Sequence, residues 1–339
     1  MTCRMNRNIL IVLLSCFVFT GCHDQKDEPQ VQGSIAGNRI TSIYIDEGGI
    51  KWFGTENGLS AYDGETFTNY TVADGLPENQ INDIDARGSG TGSQLMVATG
   101  RGAGMLDRTG SLIRSISLFL SSNSGLAGDR VTSLIHDREN VTWFGTDGGV
   151  SVQFEGNWMD CEENDLIREY EITDMAAGPD SISFVCLSGK GVALMDPGVD
   201  AVTTVTYYEW PFSPLPSDNV QAIYIENYHY QWIGTDEGLA FHGNFDPKQQ
   251  WELFSEEDGL INNHVLSVRG DGTGITWIGT AAGVSRYDGE AWTSYSVLDG
   301  LAGDSVFCIA IDPDGSVWFG TQNGASNFNG TDWKNFRAD

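Results

Sequence analysis

His264 is the side chain in this 339-residue sequence best suited to acid–base chemistry, because imidazole titrates near neutral pH. It ends the polar run Asn262-Asn263-His264, just before an apolar segment. No second histidine is spaced to assist it, since His229 and His242 are expected in the outer turns of a neighbouring unit. His264 is therefore a candidate base only, and a polysaccharide lyase or hydrolase built on it is the alternative reading. Equivalent turns elsewhere hold Asn79, Arg101, Arg130, Asp147, Lys190, Asp236 and Asn323. Such a mixture of amides, acids and a few cations suits hydroxyl-rich ligands such as glycans, or a peptide, through direct hydrogen bonds. The acidic runs Asp312-Pro-Asp-Gly315 and Asp271-Gly272 are similar to fragments of calcium loops. Neither has the full EF-hand spacing, hairpin turns account for both, and no cofactor is expected. The chain has no Gly-x-Ser-x-Gly, phosphate loop or dinucleotide fingerprint; the glycine-rich stretch Gly88–Gly92 lies between two strands, not before a helix.

The background charge narrows the partners. Asp and Glu outnumber Lys and Arg 47 to 18, for a net charge of −29. A surface this negative repels phosphate backbones, so nucleic acid is not expected as a ligand. Glycine reaches 42 residues and tryptophan ten, with only nine prolines. That balance predicts many short strands joined by tight turns.

Residues 1–21 read as an export signal. Arg4 and Arg7 precede the apolar run Ile9–Thr20, which is shorter than the roughly 20 residues of a membrane-spanning helix. The run closes on Phe19-Thr20-Gly21-Cys22, which resembles the lipobox of bacterial lipoproteins except that Phe19 replaces the usual aliphatic residue. The resemblance implies that Cys22 is acylated, becomes the first residue of the mature chain and ties it to the lipid bilayer of the outer membrane, facing the periplasm or the surface. Residues 22–36 are polar and aperiodic and are expected to form a flexible tether. Within them, Lys26-Asp27-Glu28 is similar to a surface-sorting signal, although a charged linker has the same composition. Beyond Cys22 remain Cys161, Cys186 and Cys308, too few and too odd for a disulfide framework; the last two are expected to be small buried hydrophobes.

The rest of the chain is one unit repeated. Trp-[Phe/Ile]-Gly-Thr occurs at Trp52–Thr55, Trp143–Thr146, Trp232–Thr235, Trp277–Thr280 and Trp318–Thr321, with tryptophan spacings of 91, 89, 45 and 41. The two double-length gaps predict degenerate copies, at Met96-Val97-Ala98-Thr99 and Val185-Cys186-Leu187-Ser188. Three residues past each threonine or serine stands a glycine: Gly58, Gly102, Gly149, Gly191, Gly238, Gly283 and Gly324. A period of about 44 residues built from short strands is the signature of a β-propeller with one four-stranded blade per unit. The sequence thus predicts an all-β, seven-bladed propeller of antiparallel blades over residues 37–339. Its units lie near 37–76, 77–126, 127–166, 167–215, 216–260, 261–301 and 302–339. The tryptophans are read as wedges between blades, since one residue type at one repeated position implies packing.

The pattern Gly-Leu, Asp, Trp-Phe-Gly-Thr-x-x-Gly-Leu-x-x-Tyr-Asp-Gly resembles the two-component regulator propeller repeat. The resemblance spans residues 34–339, strongly in units one, three, five, six and seven. It implies a ligand-sensing propeller on an exported bacterial protein. No apolar span and no kinase transmitter follow residue 22, so any signalling is expected to pass through a partner. The chain begins on an inner strand and ends on an outer one, which predicts ring closure by face packing between blades seven and one.

Overall fold

Apolar residues line both sides of Ile40-Thr-Ser-Ile-Tyr-Ile45, as a strand covered by neighbours on both faces requires. It pairs antiparallel with Lys51–Thr55, which pairs with Gly58–Tyr62, which pairs with Phe67–Tyr70. The computed structural model describes residues 31–87, 94–137, 141–161, 164–178, 183–196, 201–208, 214–226, 230–243 and 251–339. Across them the four-strand order repeats seven times, giving the expected propeller. The six further inner strands are Ile81–Arg87, Val131–His136, Ile172–Ala177, Val220–Glu226, Val265–Gly270 and Val306–Ile311.

The recurring residues have visible mechanical roles. Trp52 packs on Ile81 and Ile84 of blade two, and Trp143, Trp232, Trp277 and Trp318 each pack on the inner strand of the following blade. The glycine of Trp-x-Gly-Thr faces the same seam: a Cβ on Gly54 would lie 2.8 Å from Ile81, and one on Gly279 would lie 2.8 Å from Val306. In these seams the following inner strand nests into the place that the missing Cβ leaves open. The glycine four residues later faces the fourth strand instead: Gly58 has φ 144°, and a side chain there would strike the Tyr70 carbonyl. The threonine between them is fully buried and ties the turn, with Thr55 Oγ1 donating to Gly58 O at 2.9 Å.

The ring closes by face packing, as expected from the chain order. A Cβ on Gly320 of blade seven would lie 2.8 Å from Ile40 Cγ2, which repeats the geometry of the other seams. Phe53 and Trp318 meet edge-on at 5.5 Å, and Lys51 Nζ reaches Asp312 Oδ2 at 2.6 Å. Gly324 N and Ala338 N donate to Asn38 O and Asn38 Oδ1.

Four expectations need adjusting. The packed body begins at Val31, not after residue 36: Gln32 bridges Thr66 at the edge of blade one, and Ile35 is buried. In unit four the strand phase is shifted by one residue. Leu187, not Ser188, pairs with Ile172 and Gly191, which puts Phe184 in the tryptophan position and Cys186 in the glycine position. The extra residue is absorbed by a longer turn, Ser188-Gly189-Lys190. His242 lies inside the third strand of blade five and is buried, whereas His229 lies outside the described residues. Cys308 is half-buried beside the axis, with Sγ 3.9 Å from Ile40 O, while Cys186 is fully buried. Blades three and four also share a short parallel pairing of their outer strands, Asp160 with Ala201 and Cys161 with Val202. Residues 1–30, including Cys22 and the signal segment, and Gly88–Gly92 fall outside the described residues. No helix among the described residues is long and apolar enough to cross a membrane.

Candidate functional site at the axial channel

The loops that lead into the inner strands meet the turns between second and third strands, so both sets form one face, called upper here. Within blades, Asp147 N donates to Arg130 O, Asp236 N to Asn219 O and Ala281 N to His264 O. Across blades, Gly102 N donates to Asp129 O and Gly191 N to Asp218 O. The sequence had placed its candidates on this face.

Most of the candidates are spread around the rim. Asn79 Oδ1 accepts from Val72 N at 2.8 Å and so caps a short 3-10 turn, as Asn263 does for Glu256 N. Asp147 Oδ1 accepts from Arg130 N. The Arg130 side chain spans to Glu171 of blade four at 2.6 Å, and Arg101 lies 3.9 Å from Glu78; both pairs are largely exposed and contribute little to stability. Lys190 sits in the lengthened turn of blade four. Asn323 is exposed, and its carbonyl accepts from Arg337 Nε.

Two candidates come together. His264 of blade six lies near enough for its charge to act on Asp236 of blade five. Burial works to raise the Asp236 carboxyl, but hydrogen bonds from Asn219 and Ser217, with His264 adding to them, hold it below its usual range. Asn219 is the hub of this patch. Its Nδ2 donates to Asp236 Oδ2 at 2.9 Å, and its Oδ1 accepts from Ser188 Oγ at 2.7 Å and Gln221 Nε2 at 3.0 Å. Gln221 in turn lines the channel along the ring axis.

That channel encloses about 570 Å³ among the seven inner strands. The second residue of each inner strand forms its upper mouth: Thr41, Asn82, Thr132, Thr173, Gln221, Leu266 and Phe307. Four of these side chains also stitch or brace the ring. Thr41 Oγ1 donates to Ile81 O, Asn82 Nδ2 to Val131 O and Thr173 Oγ1 to Val220 O, each across a seam, whereas Thr132 Oγ1 donates to Gly145 O within its own blade. Leu266 and Phe307 form an apolar side to the mouth, and the exposed Arg39 guanidinium lies 4.5 Å from the centre of the Phe307 ring.

One layer down are three carboxylates. Asp83 accepts from Ser42 Oγ of blade one and Leu134 N of blade three, and Asp174 accepts from Ile223 N of blade five. By area, Asp83, Asp85 and Asp174 are half-buried, because they face the channel; in surroundings they are enclosed on every side by the ring. The enclosure governs their protonation. Burial first, then the charge of Asp83, raises Asp85 and Asp174 to about 7, against hydrogen bonds from the backbone. Burial raises Asp83 as well. Among the described residues, no three His, Cys, Asp or Glu side chains are grouped to hold a metal ion. Asp271 and Asp312 sit at the hairpins between first and second strands, and Asp271 Oδ1 is taken up by Thr273 N and Ile275 N.

Sequence reasoning located the face, including the loop Ser217-Asp218-Asn219, but missed Arg39, Gln221, Phe307 and the channel acids. For Gln221 the available signal was a polar residue recurring at the second place of the inner strands, as at Thr41, Asn82, Thr132 and Thr173.

Comparison with known proteins supports the same architecture. Residues 300–323 match the two component regulator propeller family. Comparison with the curated proteins gives no match. Among solved structures, the chain is similar to PorZ, a bacterial surface component of the type-IX secretion system of Porphyromonas gingivalis (15% identity, 89% of this chain and 48% of that one, TM-score 0.73). It is also similar to the extracellular domains of two putative hybrid two component systems of B. thetaiotaomicron. For BT4673 the identity is 18%, the coverage 88% and 39%, and the TM-score 0.64; for BT3049 the values are 17%, 88% and 46%, and 0.60. The chain spans less than half the length of each, and at these identities the likeness is one of fold. The stretch that matches this family, residues 300–323, thus lies in the seventh blade region of a closed seven-bladed ring.

Proposed function

We propose that this propeller is a recognition module that binds a glycan, or a segment of an envelope protein, at the upper mouth of its channel without catalysis. The chain reaches that setting as an exported lipoprotein held in the outer membrane through acylated Cys22. The observation that carries the reading is the convergence at the mouth. The Ser188–Asn219–Gln221–Asp236 network presents aligned donors and acceptors, His264 sits beside it, and the Arg39–Phe307 stack offers a flat face on the rim of blades seven and one. Few polar groups fixed by one another around a concave opening, with one apolar wall, are the features of a small-ligand site. The similarity to extracellular sensor domains supports a sensing role, and the signal-like residues 1–22 support export.

The test is a glycan-array screen of the full chain, followed by titration of any hit against Asp236→Ala and Arg39→Ala. Binding that both variants weaken at least tenfold is the expected result. Hits indifferent to both variants would remove the channel mouth as the site. Mass spectrometry of the mature protein is expected to find acyl chains on Cys22, and an intact Met1 would remove the membrane anchor.

A further inference from the structure

The lower face carries a second opening, at a seam that lacks the ion pair found at two others. An aspartate closes the inner strand in blades one, three, six and seven: the N–H of Asp46, Asp137, Asp271 and Asp312 each donates across, and so begins, the hairpin to the second strand. At the seam between blades seven and one, Asp312 is met by Lys51 at 2.6 Å. At the seam between one and two, Asp46 is met by Arg108 at 2.8 Å, with both side chains buried. At the seam between six and seven, the place of Lys51 is taken by Val317, and Asp271 has no cationic partner among the described residues. A groove of about 870 Å³ opens there, lined by both Asp271 and Val317.

Its chemistry is mixed in a particular way. Half-buried Tyr295, stacked on Trp277 at 6.0 Å, gives the aromatic wall, backed by Trp277 and Phe328, which are largely buried in the core. Arg269, exposed and held 5.4 Å from the Tyr224 ring, and Arg286, 3.3 Å from Asp288, supply donors. Asp271 supplies the acceptor. An anionic ligand would face Asp271, and a cationic one would face two guanidiniums. A neutral sugar satisfies both, because each hydroxyl donates and accepts while the ring face packs on an aromatic wall. The volume lies within the range of about 300–1,000 Å³ typical of ligand pockets.

We propose that the groove between blades six and seven is a second site, on the face opposite the channel mouth, that binds a neutral oligosaccharide. The inference does not depend on the upper-face reading.

The experiment titrates full-length protein with neutral tetrasaccharides of glucose, xylose, mannose and galactose, following tryptophan fluorescence and heat. One of the set is expected to bind. Arg286→Ala and Asp271→Asn, the latter keeping the hairpin acceptor, should each weaken it at least tenfold, while Asp236→Ala on the upper face leaves it unchanged. Val317→Lys should fill the slot, raise Tm and abolish binding; if that variant fails to fold, the half-buried Arg286 decides the matter. The proposal is overturned if none of the four sugars binds, if Arg286→Ala and Asp271→Asn bind as tightly as wild type, or if a heparin tetrasaccharide or tetralysine binds more tightly than every neutral sugar.

Discussion

Blade one and blade four solve the same packing problem with different side chains. In blade one, Trp52 and Gly54 face blade two, a large wedge beside an empty place into which Ile81 nests. In blade four, Phe184 and Cys186 take those places and face Val220 of blade five. Volume lost from the wedge is partly returned at the glycine position, on the same side of the same strand. What the ring requires is a filled seam at each step, and the Trp-x-Gly pair is one of at least two ways of filling it.

The comparison can be broken most directly at the glycine position. Gly320→Val is predicted to cost more than about 3 kcal/mol, since its side chain would enter the space of Ile40 and force the closing seam apart. Loss of the cooperative unfolding transition in urea would show it. Lys51→Ala, which strands Asp312 at the same seam, is predicted to cost about 2–3 kcal/mol by the same measurement. Cys186→Gly inserts the residue found in the regular units, yet should destabilise by about 1–2 kcal/mol, because beside Phe184 it leaves a cavity. A stabilised Cys186→Gly variant would mean that the two seams are not filled independently.

The channel acids give a smaller effect with a definite sign. Asp85 has an ordinary value of 3.8 and is raised to about 7, so its protonated form is favoured by folding. Its contribution to stability is complete below about pH 4 and is lost as pH rises through 7. Asp85→Asn should therefore match wild type at pH 4 and exceed it by about 2 kcal/mol at pH 8, allowing for the openness of the channel. Melting temperatures across that range check the sign, and an Asn variant less stable at pH 8 would contradict it.

The legibility of the chain follows the same division. Where Trp, Gly and Thr recur, their spacing reveals the blades, the seams and the shared upper face. Unit four hides its phase, because Phe184-Val185-Cys186-Leu187 is apolar throughout and Ser188 stands where a threonine is expected, and only the hydrogen-bond register shows the added residue at the turn. The site is hidden for another reason. Gln221 and Phe307 are single residues inside strands, and Arg39 is an ordinary loop cation, so their convergence depends on ring closure, which brings residue 39 to residue 307. Asn79 and Asp147 illustrate the reverse: polar turn residues that drew attention serve to hold the turns.

The central claim is that the channel mouth recognises a ligand. It is tested most directly by binding the best glycan-array hit to wild type, Asp236→Ala and Arg39→Ala at equal protein stability. The account predicts at least a tenfold loss of affinity in each variant, and equal affinity across all three would contradict it.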